Sequence, residues 1–213
     1  MDKGLFLRNV EISKQGKRLL ALSHDIAPGT VLTVMGPSGV GKSTLLAFIT
    51  GTLSSDFSAR GTVQLDGQDI THFPAHKRRV GILFQDDLLF PHLSVGENLA
   101  FGLAPGGTKS ARHEKIAQAL AEVDLAGFAD RDPATLSGGQ KARVALMRML
   151  LSEPCALLLD EPFSRLDAAL RAQVRDLVFA RAKARALPVL MVTHDAEDAA
   201  AAGGDIITLQ VQG

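Results

Sequence analysis

The sequence predicts an α/β fold with a mostly parallel, doubly wound sheet at its core. After residue 135, short apolar runs alternate with helical segments, which is typical of strands joined by crossover helices. Nearer the N-terminus, the β-rich run TVLTVMG passes directly into a glycine-rich loop and a predicted helix that begins near Lys42. Ligands of such sheets bind beyond the carboxyl ends of the strands, so we expect the functional residues there.

The first thirty residues differ from this core because their apolar and polar side chains alternate with a period of two. Leu5 and Leu7 begin the pattern. Such alternation predicts half-exposed antiparallel strands. The segment GTVQLDGQDI predicts a hairpin with Asp66–Gly67 at its turn. We therefore expect an N-terminal antiparallel β part beside the parallel sheet.

A helical subdomain is predicted over residues 86–135. There is little β-branched alternation in this segment, and Ser94 followed by Glu97 has the spacing of a capping box at a helix start. The α/β alternation returns after it, so the helical segment is an insertion. We predict one domain over residues 1–213, in which residues 1–85 and 136–213 form the core with its antiparallel part.

The composition excludes several classes of protein. Lys plus Arg and Asp plus Glu each total 23, so the formal net charge of +0 gives no global field that would attract nucleic acid or anionic lipid. The single cysteine, Cys155, excludes an internal disulfide and fits a reducing compartment. No stretch approaches the ~18 apolar residues of a membrane span, and the N-terminus lacks the apolar core of a signal peptide. We therefore expect no nucleic-acid partner, and membrane association only through a partner protein.

The segment GPSGVGKST at residues 36–44 has the pattern of a phosphate-binding loop. Its glycines allow the backbone to wrap closely, so that N–H groups point towards phosphate oxygens. Lys42 supplies a positive charge for the β- and γ-phosphates, and the Ser43 hydroxyl is a ligand for Mg²⁺. A strand is predicted before the loop and a helix after it, as the pattern requires. The residues expected to bind the nucleotide are Gly36, Ser38, Gly39, Gly41, Lys42, Ser43 and Thr44.

Two carboxylates follow the apolar strand CALLLD of the same predicted sheet. Like charges at a strand end are unfavourable without a nearby cation, so we assign Asp160 to the shell of a nucleotide-bound Mg²⁺. Glu161, one residue further on, is placed to polarise an attacking water as general base.

Two more polar residues come after predicted strands. His194 follows PVLMVT, so its imidazole is placed either to donate to the γ-phosphate or to hold the water against Glu161. Gln85 ends the predicted strand in VGILFQDD, where it is placed to reach either the metal or the water at the start of the helical insertion. We therefore expect Glu161, His194 and Gln85 to be catalytic, and Ser43, Gln85 and Asp160 to form the metal site.

A second segment suited to phosphate is TLSGGQKARVALMRML at residues 135–150. A serine and two glycines run directly into a helix with apolar periodicity, and helix N-termini bind anions. The segment lacks the lysine that follows the last glycine of GPSGVGKST. The residues alone therefore leave open why one chain carries two such segments.

Together these segments resemble the ATP-binding cassette (ABC) ATPases over essentially the whole chain. The phosphate loop, Gln85, LSGGQ, LLLDEP, SRLD and His194 follow one another in the order of that family, and LSGGQ is highly specific to it. The resemblance implies a P-loop NTPase fold, ATP and Mg²⁺ as cofactors, and a head-to-tail homodimer with two ATP molecules at its interface. The segments GILFQDDLLFPHLSVGENLAFGL and LLLDEPFSRLDAALR are most similar to ATPases of bacterial importers, with the thiamine and polyamine types closest.

For an importer ATPase, the resemblance also implies partners and a location. The partners are membrane permease subunits and a periplasmic solute-binding protein, and the ATPase is peripheral on the cytoplasmic side of the inner membrane. The segment SVGENLAFGL, with Leu89 and Phe90 upstream, is the expected permease contact, and ordinary packing within the helical subdomain is the alternative.

The family also supplies a reason for the second phosphate segment. Ser137, Gly138, Gly139 and Gln140 are implied to contact the ATP of the partner subunit, with the helix starting at Gln140. ATP would then hold the dimer closed, and hydrolysis would release it. Asp167 is implied to lie near the same dimer interface.

Two positions depart from the family pattern. Where the family has an aromatic residue that stacks on adenine, this chain has Gln15, and it contains no Tyr or Trp. We expect this difference to weaken ATP binding. Arg165 in SRLD stands where a small residue is commoner, and the sequence assigns it no role.

Three other functions are less well supported by the residues. A soluble ABC ATPase of DNA repair or translation would carry a long coiled coil or two cassettes, and this sequence has neither. A P-loop kinase of small molecules would have no use for LSGGQ. A structural module that binds ATP without hydrolysing it is disfavoured because Glu161 and His194 are both present.

Overall fold

The computed structural model describes residues 3–210, and the chain divides into two compact units. The first unit comprises Met1–Ile82, Cys155–Glu161 and Phe179–Gly213, and the second comprises Leu83–Pro154 and Pro162–Val178. The second unit thus includes the expected helical subdomain and also three segments that the sequence pattern assigns to the core, residues 83–85, 136–154 and 162–178. None of the helices in residues 3–210 is long and apolar enough to cross a membrane.

Residues 3–210 form nine strands and six α-helices. The strands are β1 (Leu5–Lys14), β2 (Lys17–Ile26), β3 (Val31–Met35), β4 (Phe57–Leu65), β5 (Gln68–Asp69), β6 (Val80–Leu83), β7 (Ala156–Asp160), β8 (Val189–Thr193) and β9 (Asp205–Thr208). The helices are α1 (Lys42–Thr50), α2 (Val95–Gly102), α3 (Lys109–Ala121), α4 (Gly138–Leu150), α5 (Ala168–Ala184) and α6 (Ala196–Ala202).

The N-terminal strands form the antiparallel sheet that the sequence predicts, with the order β2-β1-β4-β5. Lys14 pairs with Lys17, so Gln15 and Gly16 form a two-residue turn with φ angles of 50° and 77°. Positive φ at both positions is the type I′ geometry that matches the twist of a hairpin. Asp66–Gly67 has the same geometry between β4 and β5, with φ angles of 50° and 81°. The predicted hairpin is therefore confirmed.

The second sheet has five strands in the order β6-β7-β8-β3-β9. β3 pairs in parallel with β8 and β9, and β7 pairs in parallel with β8. Met35 lies opposite Thr193, and Asp160 lies opposite Val192. The segments that follow β3, β7 and β8 therefore emerge at one edge of the sheet, as the predicted α/β class requires.

One apolar core is shared by both sheets and α1 of the first unit. α1 contributes Leu45, Leu46 and Ile49 to this core. Buried and more exposed positions alternate over much of β1, as expected of a half-exposed strand, whereas all five positions of β8 are buried, as expected of a central parallel strand. This packing fixes α1, and with it the loop that precedes α1.

The second unit is built mainly from helices. Ser94 and Glu97 form the predicted capping box of α2, with both reciprocal hydrogen bonds present. α3 begins at Lys109, and the Thr108 side chain caps it by accepting from the Ala111 N–H. α4 buries an apolar face that includes Val144 and Leu150.

Arg78 holds the C-terminal end of α1 in the first unit. The residue is 5% exposed, and its guanidinium donates to four backbone carbonyls, those of Phe48, Ile49, Thr71 and Phe73. Burial lowers the pKa of Arg78. The last carbonyls of a helix lack partners within it and carry the negative end of its dipole, so a cation is favourable there. Gly51 leaves the necessary space, because a Cβ at that position would lie 2.5 Å from Arg78 Nε.

We predict that Arg78→Met lowers the free energy of unfolding by about 2–4 kcal/mol, because it leaves buried carbonyls without donors. Urea denaturation followed by circular dichroism measures this difference. Lys77→Met is the matched control, since Lys77 is exposed and lies next to Arg78 in the chain. Equal unfolding free energies for the two variants would contradict the role of Arg78.

Candidate functional site

The loop between β3 and α1 has the backbone geometry of a phosphate cradle. Gly36, Gly39 and Gly41 have φ angles of 153°, 83° and 102°, a region that favours glycine. α1 begins immediately afterwards at Lys42, with no side-chain cap and no acidic residue in its first turn. The positive end of this helix is therefore left available for an anion.

The Lys42 side chain lies largely buried beneath this loop, at 7% exposure. Its ammonium donates to the carbonyl oxygens of Gly36 at 2.6 Å and Pro37 at 3.1 Å. Glu161 Oε1 lies 3.8 Å from the same nitrogen. The loop, the lysine and the predicted general base therefore belong to one cluster of the first unit.

Asp160 and Ser43 form the second contact of the cluster. Ser43 Oγ donates to Asp160 Oδ1 at 3.3 Å. Burial is the main cause of the raised pKa of Asp160. The Ser43 hydrogen bond and the charge of Lys42 lower this pKa, whereas the charge of Glu161 raises it. A cation beside these carboxylates would relieve the same cost, so their chemistry fits Mg²⁺. Within residues 3–210, no group of three or more His, Cys, Asp or Glu side chains could hold a metal.

Glu161 and His194 make the third contact. His194 Nδ1 lies 3.2 Å from Glu161 Oε2, and the two side chains are 61% and 20% exposed. Glu161 has a φ angle of 46°, and its backbone N–H donates to the Val192 carbonyl at 3.0 Å. The carboxylate thus lies between an ammonium and an imidazole, one on each oxygen. The structure therefore brings together Lys42, Ser43, Asp160, Glu161 and His194.

Ser38 lies in the loop before α1 and Thr44 lies in α1, both in the first unit, and the other predicted site residues belong to the second unit. β6 ends at Leu83, so Gln85 lies two residues beyond the strand instead of at its end, and its side chain is exposed. Asp167 Oδ1 accepts from the Leu170 N–H at 3.1 Å and so caps α5. Arg165 forms an ion pair with Asp86, a contact that no sequence pattern predicts.

The LSGGQ segment begins α4 with a second capping box. The N–H of Gln140 donates to Ser137 Oγ at 3.4 Å, and Gln140 Oε1 accepts from the Ser137 N–H at 3.0 Å. α4 starts at Gly138, not at Gln140 as the sequence suggested, because Ser137 is the N-cap. The two glycines differ: a Cβ at Gly138 would meet nothing within 4 Å, whereas one at Gly139 would lie 2.3 Å from Leu170 Cδ1. Only Gly139 is required by packing.

Sequence reasoning missed two residues that hold the segment after Gln85. Arg148, in the last turn of α4, donates to the backbone carbonyls of Asp87 and Leu88. Asn98 is fully buried and exchanges hydrogen bonds with the backbone N–H and C=O of Phe90. The sequence signal for Asn98 was a polar residue within a short, mostly apolar helical segment. Nothing in the sequence distinguishes Arg148 from Arg143, the other arginine of α4.

Gln15, which replaces the expected adenine-stacking aromatic, occupies the first position of the β1–β2 turn. Its side chain is exposed, and its φ angle is 50°. The turn geometry rather than packing therefore constrains this position.

These arrangements place a glycine-rich loop with the backbone of a phosphate cradle, and a carboxylate in contact with an imidazole, at the carboxyl edge of a parallel sheet, which is the architecture of P-loop nucleoside triphosphatases. Comparison with known proteins narrows the class. Residues 19–164 match the family described as "ABC transporter", and the chain belongs to that family. It is accordingly an ATP-binding ATPase of the ABC type.

Several relatives match most of the chain. An uncharacterized ABC transporter ATP-binding protein of Escherichia coli, YnjD, is 48% identical over 195 residues, which is 91% of this chain and 90% of that protein. The thiamine import protein ThiQ of a Jannaschia species is 42% identical over 92% of this chain and 84% of its own length. The Fe(3+) import protein FbpC of Agrobacterium fabrum is 43% identical over 89% of this chain, which spans only 53% of FbpC. These names do not favour the DNA-repair or translation alternative.

We predict that Gly139→Ala destabilises the chain by ~1–3 kcal/mol, because the added methyl group overlaps the Leu170 side chain. Thermal and urea unfolding measure the effect. Gly138→Ala is the matched control and should be at least as stable as the original chain, since its methyl group meets open space. In a Leu170→Ala background, Gly139→Ala should cost little. An equal cost in both backgrounds would contradict the overlap.

Proposed function

We propose that this chain is the ATPase subunit that energises solute import through a membrane permease, bound peripherally on the cytoplasmic side of the inner membrane. The observation that carries the proposal is Glu161, which lies between the Lys42 ammonium and the His194 imidazole. Import is supported by relatives named as thiamine and Fe(3+) import proteins. The relatives named for thiamine import and for Fe(3+) import are about equally similar to this chain. We therefore expect partner proteins to select the solute.

Each predicted site residue of the first unit has a proposed task in ATP hydrolysis. Lys42 and the loop N–H groups bind the β- and γ-phosphates, with Gly36, Ser38, Gly39, Gly41 and Thr44 completing the loop. Ser43 and Asp160 would hold Mg²⁺, which would supply positive charge beside the transferred phosphoryl group. Glu161 accepts a proton from the attacking water, and His194 keeps that carboxylate in position through its contact at 3.2 Å.

The second unit is proposed to act on the nucleotide of a second copy of the chain. Ser137, Gly138, Gly139 and Gln140 present a neutral helix N-terminus suited to a γ-phosphate. Asp167 is proposed to lie at the same dimer interface, and Gln85 to reach the metal or the water. A γ-phosphate that bridges two copies stabilises the closed dimer, and its loss on hydrolysis removes that contact.

The permease is proposed to bind near the segment that follows Gln85. Leu88 is 54% exposed and Phe101 is 70% exposed, and the Phe101 ring lies 4.7 Å from the Phe90 ring. Exposed apolar side chains of this size favour a protein contact over solvent. In the complete transporter, a periplasmic solute-binding protein would deliver the solute to the permease.

We predict that Glu161→Gln lowers the ATP hydrolysis rate at least ~100-fold and traps an ATP-bound dimer, because the amide cannot accept the proton of the attacking water. Phosphate release and gel filtration with and without ATP measure the two effects. Glu197→Gln, the same change at an exposed residue of α6, should leave both unaltered. If Glu161→Gln remained monomeric with ATP, the shared-site mechanism would fail.

We predict that Ser137→Arg abolishes ATP hydrolysis while the monomer retains its ATP affinity, because the arginine blocks the site offered to the partner's nucleotide. Fluorescent ATP titration of monomer and a steady-state ATPase assay separate the two properties. Ser94→Arg controls for loss of a helix cap, since Ser94 caps α2 through the same type of capping box. Lost monomer binding in Ser137→Arg would mean that the segment contacts its own chain's nucleotide.

A further inference from the structure

Two segments of the second unit that carry proposed site residues are joined by an ion pair. Arg165 Nη1 donates to Asp86 Oδ1, and the side chains are 61% and 51% exposed. Asp86 directly follows Gln85, and Arg165 precedes Asp167 by two residues. The contact therefore links the chain next to Gln85 with the chain next to Asp167.

Backbone contacts hold each of these segments from another side. Arg148 donates to the carbonyls of Asp87 and Leu88, which anchors the downstream part of the first segment to α4. Asp167 caps α5, which anchors the end of the second segment. Gln85 itself lies in a bend outside any helix or strand. The Arg165–Asp86 pair thus joins an anchored segment to the residue beside Gln85.

We propose that Arg165 is a positioning residue for Gln85. The ion pair of Arg165 with Asp86 joins the segment that contains Gln85 to the segment that ends at Asp167. A displacement of either segment is therefore transmitted to the other. This inference rests on the proposed role of Gln85 in hydrolysis. It assigns a task to the arginine that the sequence left without one.

Loss of the ion pair should change kcat, the KM for ATP and the salt dependence in a defined pattern. Neither Asp86 nor Arg165 lies in the unit that holds the phosphate loop, so loss of the pair should lower kcat and leave the KM for ATP nearly unchanged. Both side chains are at least half exposed, so the effect should be about two- to fivefold at low salt and should shrink as salt screens the pair.

The experiment is a charge exchange measured on the purified full chain. Arg165→Asp and Asp86→Arg are each expected to lower kcat about two- to fivefold, and the double variant is expected to return kcat to within about twofold of the original. The same exchange at Arg8 and Asp25, an exposed ion pair between β1 and β2, is the matched control and should leave kcat unchanged at every step. Thermal unfolding of every variant accompanies the assay.

Recovery of kcat in the double variant, with thermal unfolding unchanged across the set, assigns the effect to the attraction between the two side chains, because the exchange restores that attraction without restoring either original side chain. If Arg165→Asp keeps the original kcat at low salt, or if the double variant is no better than the worse single variant, the inference is overturned. Gln85→Ala is assayed in parallel. If Gln85→Ala loses activity while Arg165→Asp does not, only the inference fails; if Gln85→Ala is fully active, the proposed role of Gln85 fails and the inference fails with it.

Discussion

A nearly buried ammonium group, that of Lys42, is the constraint on which the arrangement of the first unit depends. Taking this charge out of water is unfavourable unless it finds polar partners, and the carbonyls of Gly36 and Pro37 supply them at 2.6 and 3.1 Å. Those carbonyls turn inward only because the loop adopts positive φ angles at its glycines, which include Gly36 at 153°. The same ammonium lies 3.8 Å from Glu161. The lysine therefore sets the shape of the loop and also places a counter-charge beside the proposed base.

Two carboxylates lie side by side in this cluster, and their closeness has a chemical use. Asp160 and Glu161 are adjacent carboxylates, and Lys42 is the cation that both contact or approach. Burial and the charge of Glu161 raise the pKa of Asp160, which means that its ionised form is held at a cost. A divalent cation carried in with the phosphates of ATP would remove that cost. Two adjacent carboxylates at the end of a strand thus suit a site to which the substrate brings the missing cation.

Features that depend on neighbouring residues could be predicted from the sequence, whereas contacts between residues far apart in the chain could not. The strands, the hairpin at Asp66–Gly67 and the capping box of α2 follow from periodicity and turn residues, and all three are present. The meeting of the phosphate loop with Glu161 followed from the rule that parallel strands share a carboxyl edge. The predicted start of α4 at Gln140 was two residues too late, because Ser137 is the N-cap and the helix begins at Gly138. The contacts of Arg78 and Arg165 join residues that are far apart in the chain, and no local pattern encodes such pairs.

The boundaries between the two units fall beside residues with proposed catalytic roles. One boundary lies between Ile82 and Leu83, two residues before Gln85, and another lies between Glu161 and Pro162. Glu161 has a positive φ angle although it precedes a proline, a backbone state that costs about 1–3 kcal/mol and persists only when its surroundings enforce it. Its N–H bond to the Val192 carbonyl is one such restraint. The strained backbone of the proposed base therefore lies at the last residue before the chain passes from the first unit into the second, and the first unit itself supplies the hydrogen bond that restrains it.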